Sequence, residues 1–309
     1  MTEKVIIIGS GPAGLSAAIY TAREGFEPLV ISGYSGGGQL VLTTLVENIP
    51  GFPEGIMGPE YMQMLIKQAK KFGARLIDRD VTAVDLKAKP IKVTVEDKTY
   101  ETQSLVIATG ANAKYLGLPS EKKFMGRGVS SCATCDAAFF KGKKVIVIGG
   151  GDTAMADSLF LTRFASEVTI VHRRDAFRAS KIMQERALSN PKIKVIWNTT
   201  VDEIKGDKVV KSVVLKNLVT NQAQEMPIDG VFLAIGYEPN TKLFGGQLSA
   251  DEQGYLITKD EVRTDVEGVY VAGDVADKVY RQAGTAAGSG IKAALCVRAY
   301  ISEMEAKKA

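Results

Sequence analysis

Lys4-Val5-Ile6-Ile7-Ile8-Gly9-Ser10-Gly11-Pro12-Ala13-Gly14 returns 140 residues later as Lys144-Val145-Ile146-Val147-Ile148-Gly149-Gly150-Gly151-Asp152-Thr153-Ala154. In each copy a β-branched run with no polar break meets a glycine-rich turn and then an Ala- and Leu-rich stretch. An unbroken apolar run suits a strand buried on both faces, as in parallel sheets. The spacing predicts helices over about 11–24 and 153–164. Second strands at 28–32 and 167–172 complete two βαβ units. Later apolar runs at 104–108, 230–235 and 269–272 read as further strands, 205–229 as a β-meander, and a closing helix is expected from Ala283 to about Ser302. Pro, Gly and Asn cluster at 111–120 and 237–246, which marks two linkers. If these are hinges, the middle of the chain is an inserted domain and the first domain is discontinuous.

The glycines carry chemistry in that setting. In G-x-G-x-x-G the first glycine permits the tight turn, the second lets backbone approach a pyrophosphate, and the third packs helix on strand. Two copies imply two dinucleotides. The copies differ just past the second strand. Twenty-one residues after Gly151 stand His172-Arg173-Arg174, with Arg178 one turn further, where an NAD site places a carboxylate on the ribose. Guanidinium groups there suit the 2′-phosphate of NADPH. His172, beside two cations, reads as a neutral ring or a stacking surface. Asp152 opposes a pyrophosphate unless it caps the helix and points away. In the first copy the second strand ends at Ser32-Gly33 without an acid, which invites a dinucleotide held by other loops. Gly36-Gly37-Gly38-Gln39 can offer backbone amides, Asn48 an amide side chain, and Ala108-Thr109-Gly110 ends a strand. Ala272-Gly273-Asp274 puts a carboxylate at a strand end, where it either accepts from a sugar hydroxyl or caps a helix.

Cys132-Ala133-Thr134-Cys135 is a C-x-x-C, open to three readings: half a zinc site, a dithiol/disulfide couple, or two buried cysteines. Zinc needs about four ligands, and the only others on offer are Cys296 and the single histidine, both distant in sequence. The couple is favoured, because close cysteines form a small ring whose thiolate is stabilised by neighbouring amides. Asp136 follows at once and serves as a proton shuttle, as a helix cap, or as both. Cys296 reads as a packed core residue. Hydride from NADPH does not pass efficiently to a disulfide directly, so a carrier is required, and the first fingerprint offers a place for FAD.

Composition narrows the class. The balance of 39 Lys+Arg against 35 Asp+Glu, a net +4, is too mild for nucleic-acid or membrane-surface binding. The longest charge-free run, 28–46, is broken by glycines and polar residues, and the four apolar residues between Lys4 and Gly9 are shorter than a signal-peptide core. A cytoplasmic location is expected.

Taken together, Gly9-Ser10-Gly11-Pro12-Ala13-Gly14, Gly37-Gly38-Gln39-Leu40, Val46-Glu47-Asn48, Ala108-Thr109-Gly110, Cys132-Ala133-Thr134-Cys135-Asp136, His172-Arg173-Arg174-Asp175-Ala176-Phe177-Arg178-Ala179, Ala272-Gly273-Asp274-Val275 and Tyr280-Arg281-Gln282-Ala283 resemble the low-molecular-weight thioredoxin reductases over nearly the whole chain. The acid missing after Ser32 is typical of that family. The resemblance implies an α/β fold of two Rossmann-like, three-layer ββα nucleotide-binding domains, the second inserted into the first. An FAD domain would span 1–114 and 246–309, and an NADPH domain carrying the cysteines 115–245.

By the same resemblance FAD would lie on Gly9, Ser10, Gly11, Pro12, Ala13, Gly14, Ser32, Gly37, Gly38, Gln39, Leu40, Thr43, Asn48, Val81, Ala108, Thr109, Gly110, Gly273, Asp274, Arg281, Gln282 and Ala283. NADPH would lie on Gly149, Gly150, Gly151, Asp152, Thr153, Ala154, His172, Arg173, Arg174, Arg178, Ile235 and Gly236. Cys135 would face the flavin, Cys132 would attack the disulfide of a thioredoxin or thioredoxin-like protein, and Asp136 would be the acid/base. No metal is implied. A homodimer is. The inserted domain would rotate between half-reactions, with torsion expected at Leu116-Gly117-Leu118 and Phe244-Gly245-Gly246. Rival readings are the reductase of a peroxiredoxin or of another thioredoxin-like protein, a ferredoxin-fed thioredoxin reductase, and a flavin-binding redox sensor without turnover.

Overall fold

A computed structural model describes residues 2–307 apart from 35 and 44. Two compact units emerge, Met1–Asn112 with Glu238–Ala309, and Ala113–Tyr237. The middle unit thus ends eight residues before the boundary expected at 245. The crossings Ala111–Ala113 and Tyr237–Pro239 hydrogen-bond to each other as a two-stranded sheet.

In the discontinuous unit a seven-stranded sheet runs Arg75–Ile77, Leu29–Ile31, Glu3–Ile8, Lys98–Ile107, Ile91–Val95, Val81–Asp85, with Val269–Val271 also paired to Lys98–Ile107. The first four and Val269–Val271 are mutually parallel, while 91–95 and 81–85 form an antiparallel flap. Strands buried on both faces sort their side chains by parity. Val5 and Ile7 face the helices Pro12–Arg23, Gly58–Lys71 and Ala283–Ala306, whereas Ile6 and Ile8 face the antiparallel layer of Leu86, Ile91 and Val93. Each such fully buried aliphatic side chain contributes about 1.5–3 kcal/mol. The closing helix reaches the turn through Gly290, where a Cβ would fall on the Ala13 carbonyl.

The middle unit repeats the scheme. Its five parallel strands run Val129–Ser130, Gly230–Ala234, Lys144–Gly149, Glu167–Val171, Ile193–Ile196. Val145 and Val147 face the helical side; Ile146 and Ile148 face a three-stranded antiparallel layer, Thr199–Gly206, Val210–Asn217 and Ala223–Pro227. The parity matches residue for residue across the 140-residue offset, and the three-layer α/β architecture is that expected. The meander starts at Thr199, six residues early. The helix Asp152–Leu161 stops three residues short of the expected end, because Phe164 and Ala165 both donate to the Leu161 carbonyl in a tight turn.

Each segment expected to twist carries an anchor. The Glu121 carboxylate, almost fully buried, accepts the N–H groups of Leu116, Gly117 and Leu118 at 2.7, 2.8 and 3.0 Å and binds that loop into the middle unit. Phe244 is buried in the core of the other unit. Cys296 is half-buried on the closing helix, packed against the core. Among the described residues no helix is long and apolar enough to cross a membrane.

Candidate active site

Strand register builds the first cradle. Ile8 pairs with Ile31 and Ile107, Ile31 with Ile77, and Ile107 with Val271, so the loops after these strands leave one carboxyl edge together. Open α/β sheets bind ligands at that edge. The glycines there divide by role. At Gly9, φ is +109° and a Cβ would fall on the Ala108 carbonyl oxygen; at Gly14 it would fall on the Gly9 carbonyl. These two serve packing. Gly11 has an ordinary φ of −70° and no atom within 4 Å of a Cβ, so its missing side chain leaves space that the protein does not fill. That space lies at the start of the helix Pro12–Arg23, where backbone N–H groups have no helical partner.

Other predicted residues are drawn to the same edge. Ser10 Oγ accepts from Gly37 N–H at 2.8 Å, which lays the 36–38 loop against Gly11. Asn48 donates to Gln282 Oε1 at 3.0 Å, Gln39 to Asn112 Oδ1 at 3.0 Å, and Thr109 to the Asn240 carbonyl at 2.8 Å. Leu40 packs on the helical core, Val81 on the opposite one, and Thr43 is half-buried. Asp274 stands out: its Oδ1 is buried with no hydrogen-bond partner among the described residues. Burial, and next the neighbouring Asp277 carboxylate, push its carboxyl up to about 6, against the pull of Arg281. A buried acceptor without a donor is costly, and a polyhydroxyl ligand removes that cost. Open glycine and orphaned acceptor both fit FAD.

One residue is invisible in the local motif. Ser32 donates to Asp78 Oδ1 at 2.6 Å, so an acid does stand at the end of the second strand. It directly follows the neighbouring parallel strand Arg75–Ile77, whose register with Leu29–Ile31 no local motif announces.

The middle unit carries the second cradle and the redox pair. A Cβ at Gly149 would crowd the Ala234 carbonyl, while Gly151, at φ −101°, again has nothing within 4 Å. The arginine loop folds back on this turn: Arg178 and Ala179 N–H both donate to the Gly150 carbonyl, at 2.7 and 3.1 Å. Asp152 Oδ1 accepts from Ser180 N–H at 2.9 Å and from its hydroxyl at 2.7 Å, and these bonds hold its carboxyl below the usual range. Its charge is thereby engaged by the loop. Arg173, Arg174 and Arg178 are exposed, and none has an ion-pair partner among the described residues. Three unpaired guanidiniums on one short loop fit a phosphate. His172 is 5% exposed and lies under Gly150. Burial, foremost, pushes its pKa down, helped by Arg174 and Arg178 and opposed by hydrogen bonds to the backbone of Ala176 and Gly149. Thr153 and Ala154 lie in the first turn of the helix that follows the glycines, and Ile235 and Gly236 follow the paired strand Gly230–Ala234.

Cys132 and Cys135 are joined as a disulfide with Cα atoms 5.3 Å apart, around the one-turn helix Ala133–Asp136. Ser130 Oγ accepts the Cys132 N–H at 3.0 Å, and the Tyr237 hydroxyl donates to the Ser131 carbonyl at 2.7 Å. Asp136 makes no side-chain cap bond to the turn beyond it. Burial pushes its carboxyl up, with Ser130 pulling the other way. A half-buried carboxyl, raised and not spent on capping, is suited to proton transfer beside sulfur.

Paired glycine turns and a disulfide on one chain match a known family model, that of the pyridine nucleotide-disulphide oxidoreductases, over residues 3–290. The chain belongs to this family. It is 52% identical to the thioredoxin reductase of Rickettsia felis over 98% of this chain and 99% of that one. It is 49% identical to a bifunctional thioredoxin reductase/thioredoxin of Mycobacterium leprae, over 99% of this chain and 68% of that longer one. Among solved structures, thioredoxin reductase from Giardia duodenalis superposes with a TM-score of 0.93 at 42% identity, covering 97% and 98% of the two chains.

Proposed function

We propose that this chain is an NADPH-dependent thioredoxin-disulfide reductase. The observation that carries the reading is the Cys132–Cys135 disulfide, held in the same unit as a glycine turn with an open second glycine and three unpaired arginines. Gly11, Gly37, Gly38 and Asp274 would hold FAD, and Gly151 with Arg173, Arg174 and Arg178 would hold NADPH. When bound, the two cofactors supply a hydride and deliver two electrons to the disulfide.

The chain's own residues do the rest. Cys132, as thiolate, attacks one sulfur of the partner's disulfide and expels the other as a thiolate. Cys135 then attacks Cys132, which closes the 132–135 disulfide and frees the partner as a dithiol. Asp136 gives and takes the proton at these sulfurs. The balance is one NADPH and one proton consumed per protein disulfide reduced. One disulfide cannot meet a flavin and an external protein at once, so the middle unit would turn about the two crossings between half-reactions. The partner is a thioredoxin or thioredoxin-like protein in a reducing, cytoplasmic compartment. The active form is read as a homodimer, which light scattering should register at twice the 33.1 kDa chain mass.

Under anaerobic conditions NADPH should bleach the flavin of the holoprotein, and a thioredoxin with an insulin-type disulfide substrate should restore its colour. Cys135→Ser should bleach and fail to recover. If neither NADPH nor NADH bleaches the flavin, the coenzyme assignment is wrong.

A further inference from the structure

The arginine loop and the glycine turn leave two different strand ends, at Val171 and Gly149, yet a coenzyme with two phosphate groups needs both at a fixed separation. The feature that sets that separation is visible beneath them. The His172 ring occupies the place a Cβ at Gly150 would take, with Nε2 the farthest of its three nearest atoms at 2.7 Å from that point. The same Nε2 donates to the carbonyl of Ala176, at 3.1 Å, in the middle of the arginine loop. Phe177 packs on the ring with centroids 5.4 Å apart, Trp197 edge-on at 6.1 Å, and these two on each other at 4.3 Å. From above, Arg178 and Ala179 N–H close on the Gly150 carbonyl.

We infer that His172 does not touch the coenzyme but braces the 173–178 loop against the 149–151 turn, and is thereby a positioning residue for recognition of the 2′-phosphate. The inference rests on the NADPH reading above. Its physical basis is that the ring has one face on glycine and one N–H on the loop, so neither segment can shift without breaking packing or a buried hydrogen bond. Without the brace the guanidiniums remain but are no longer held where a phosphate needs them, and bidentate recognition depends on that placement. An apolar ring keeps the packing and loses the bond. Glutamine keeps an N–H near the position of Nε2.

The test uses the FAD-loaded holoenzyme and calorimetric titration with two probes, adenosine 2′,5′-bisphosphate and 5′-ADP, which lacks the 2′-phosphate. Wild type should bind the bisphosphate more tightly. His172→Phe should weaken the bisphosphate about five- to tenfold and 5′-ADP less than twofold, and His172→Gln should recover most of the loss. In turnover, KM for NADPH should rise with kcat retained. A double-mutant cycle gives a second reading: Gly150→Ala should be harmful with His172 present and nearly silent with His172→Ala, since the added methyl group then has room. If wild type does not prefer the bisphosphate, the coenzyme assignment falls and this inference with it. If wild type does prefer it and His172→Phe weakens both probes equally or neither, the assignment stands and the brace is refuted.

Discussion

Asp274 shows how a single side chain can be built for a missing partner. An aspartate in an unfolded chain titrates near 3.9, and burial raises this one to about 6. The folded state therefore holds the proton longer than the unfolded state. Protein stripped of FAD loses stability as pH rises from about 4 to about 6, and above that the full cost, about 3 kcal/mol at most, is present. Asp274→Asn removes the charge. The stripped variant should melt higher than wild type at pH 7.5, and the gap should close by pH 4. It should also hold FAD less tightly, because a carboxylate accepts from a hydroxyl about twice as strongly as a neutral group does. Thermal unfolding across pH, with flavin release measured by fluorescence, checks both; a gap that ignores pH would contradict the assignment. Asp136 is the other raised carboxyl. Asp136→Asn should slow thioredoxin reduction by about 10²–10⁴ while anaerobic bleaching by NADPH keeps its initial rate. Equal slowing of both steps would remove Asp136 from the proton path. Both aspartates could be singled out from sequence by position alone; their protonation could not, because burial is a property of the groups packed around them.

Between residue and whole molecule lies the glycine turn, and here two glycines separated by one residue answer different questions. Gly9→Ala meets a positive φ and the Ala108 carbonyl together and should cost about 3 kcal/mol or more. Gly11→Ala meets neither, and as a helix cap should cost about 1 kcal/mol or less. Its effect should fall on FAD content. Melting temperature and flavin-to-protein ratio, measured on the two variants side by side, should move in opposite order; a Gly11→Ala protein that retains full FAD would show that the open space is not the ligand's. The turn itself was legible, since strand, glycines and helix are consecutive. The strand parity was legible for the same reason, as Val5 and Val145 sit at equal offsets from their glycines. Asp78 was not, because it reaches Ser32 through the pairing of Arg75–Ile77 with Leu29–Ile31 across 46 residues of chain.

At the scale of the whole molecule, the two units are joined by the paired strands Ala111–Ala113 and Tyr237–Pro239. Glu121 fastens the loop after the first, and Phe244 anchors the turn after the second. Flanking glycines at 117, 245 and 246 suggest freedom there, yet a buried carboxylate with three amide bonds and a buried phenyl ring leave little. The turning proposed for the catalytic cycle should therefore concentrate in the crossing strands themselves. Energy transfer between probes placed at exposed Lys67 and Lys208, by a chemistry that spares the thiols, should report two distances whose populations shift when NADPH is added anaerobically. A single distance, unchanged through the cycle, would rule that motion out.

Local chemistry was written along the chain: two strand–glycine–helix fingerprints, a C-x-x-C and an arginine run declare themselves because each is made of neighbours. Contacts between distant segments were not. The brace of His172 under Gly150, the Ser32–Asp78 pair, the Glu121 clasp and the orphaned oxygen of Asp274 all arise where folding brings remote residues together. Hydrophobic periodicity specifies which face of an element is buried, but only packing decides which polar groups find a partner and which are left waiting for a ligand.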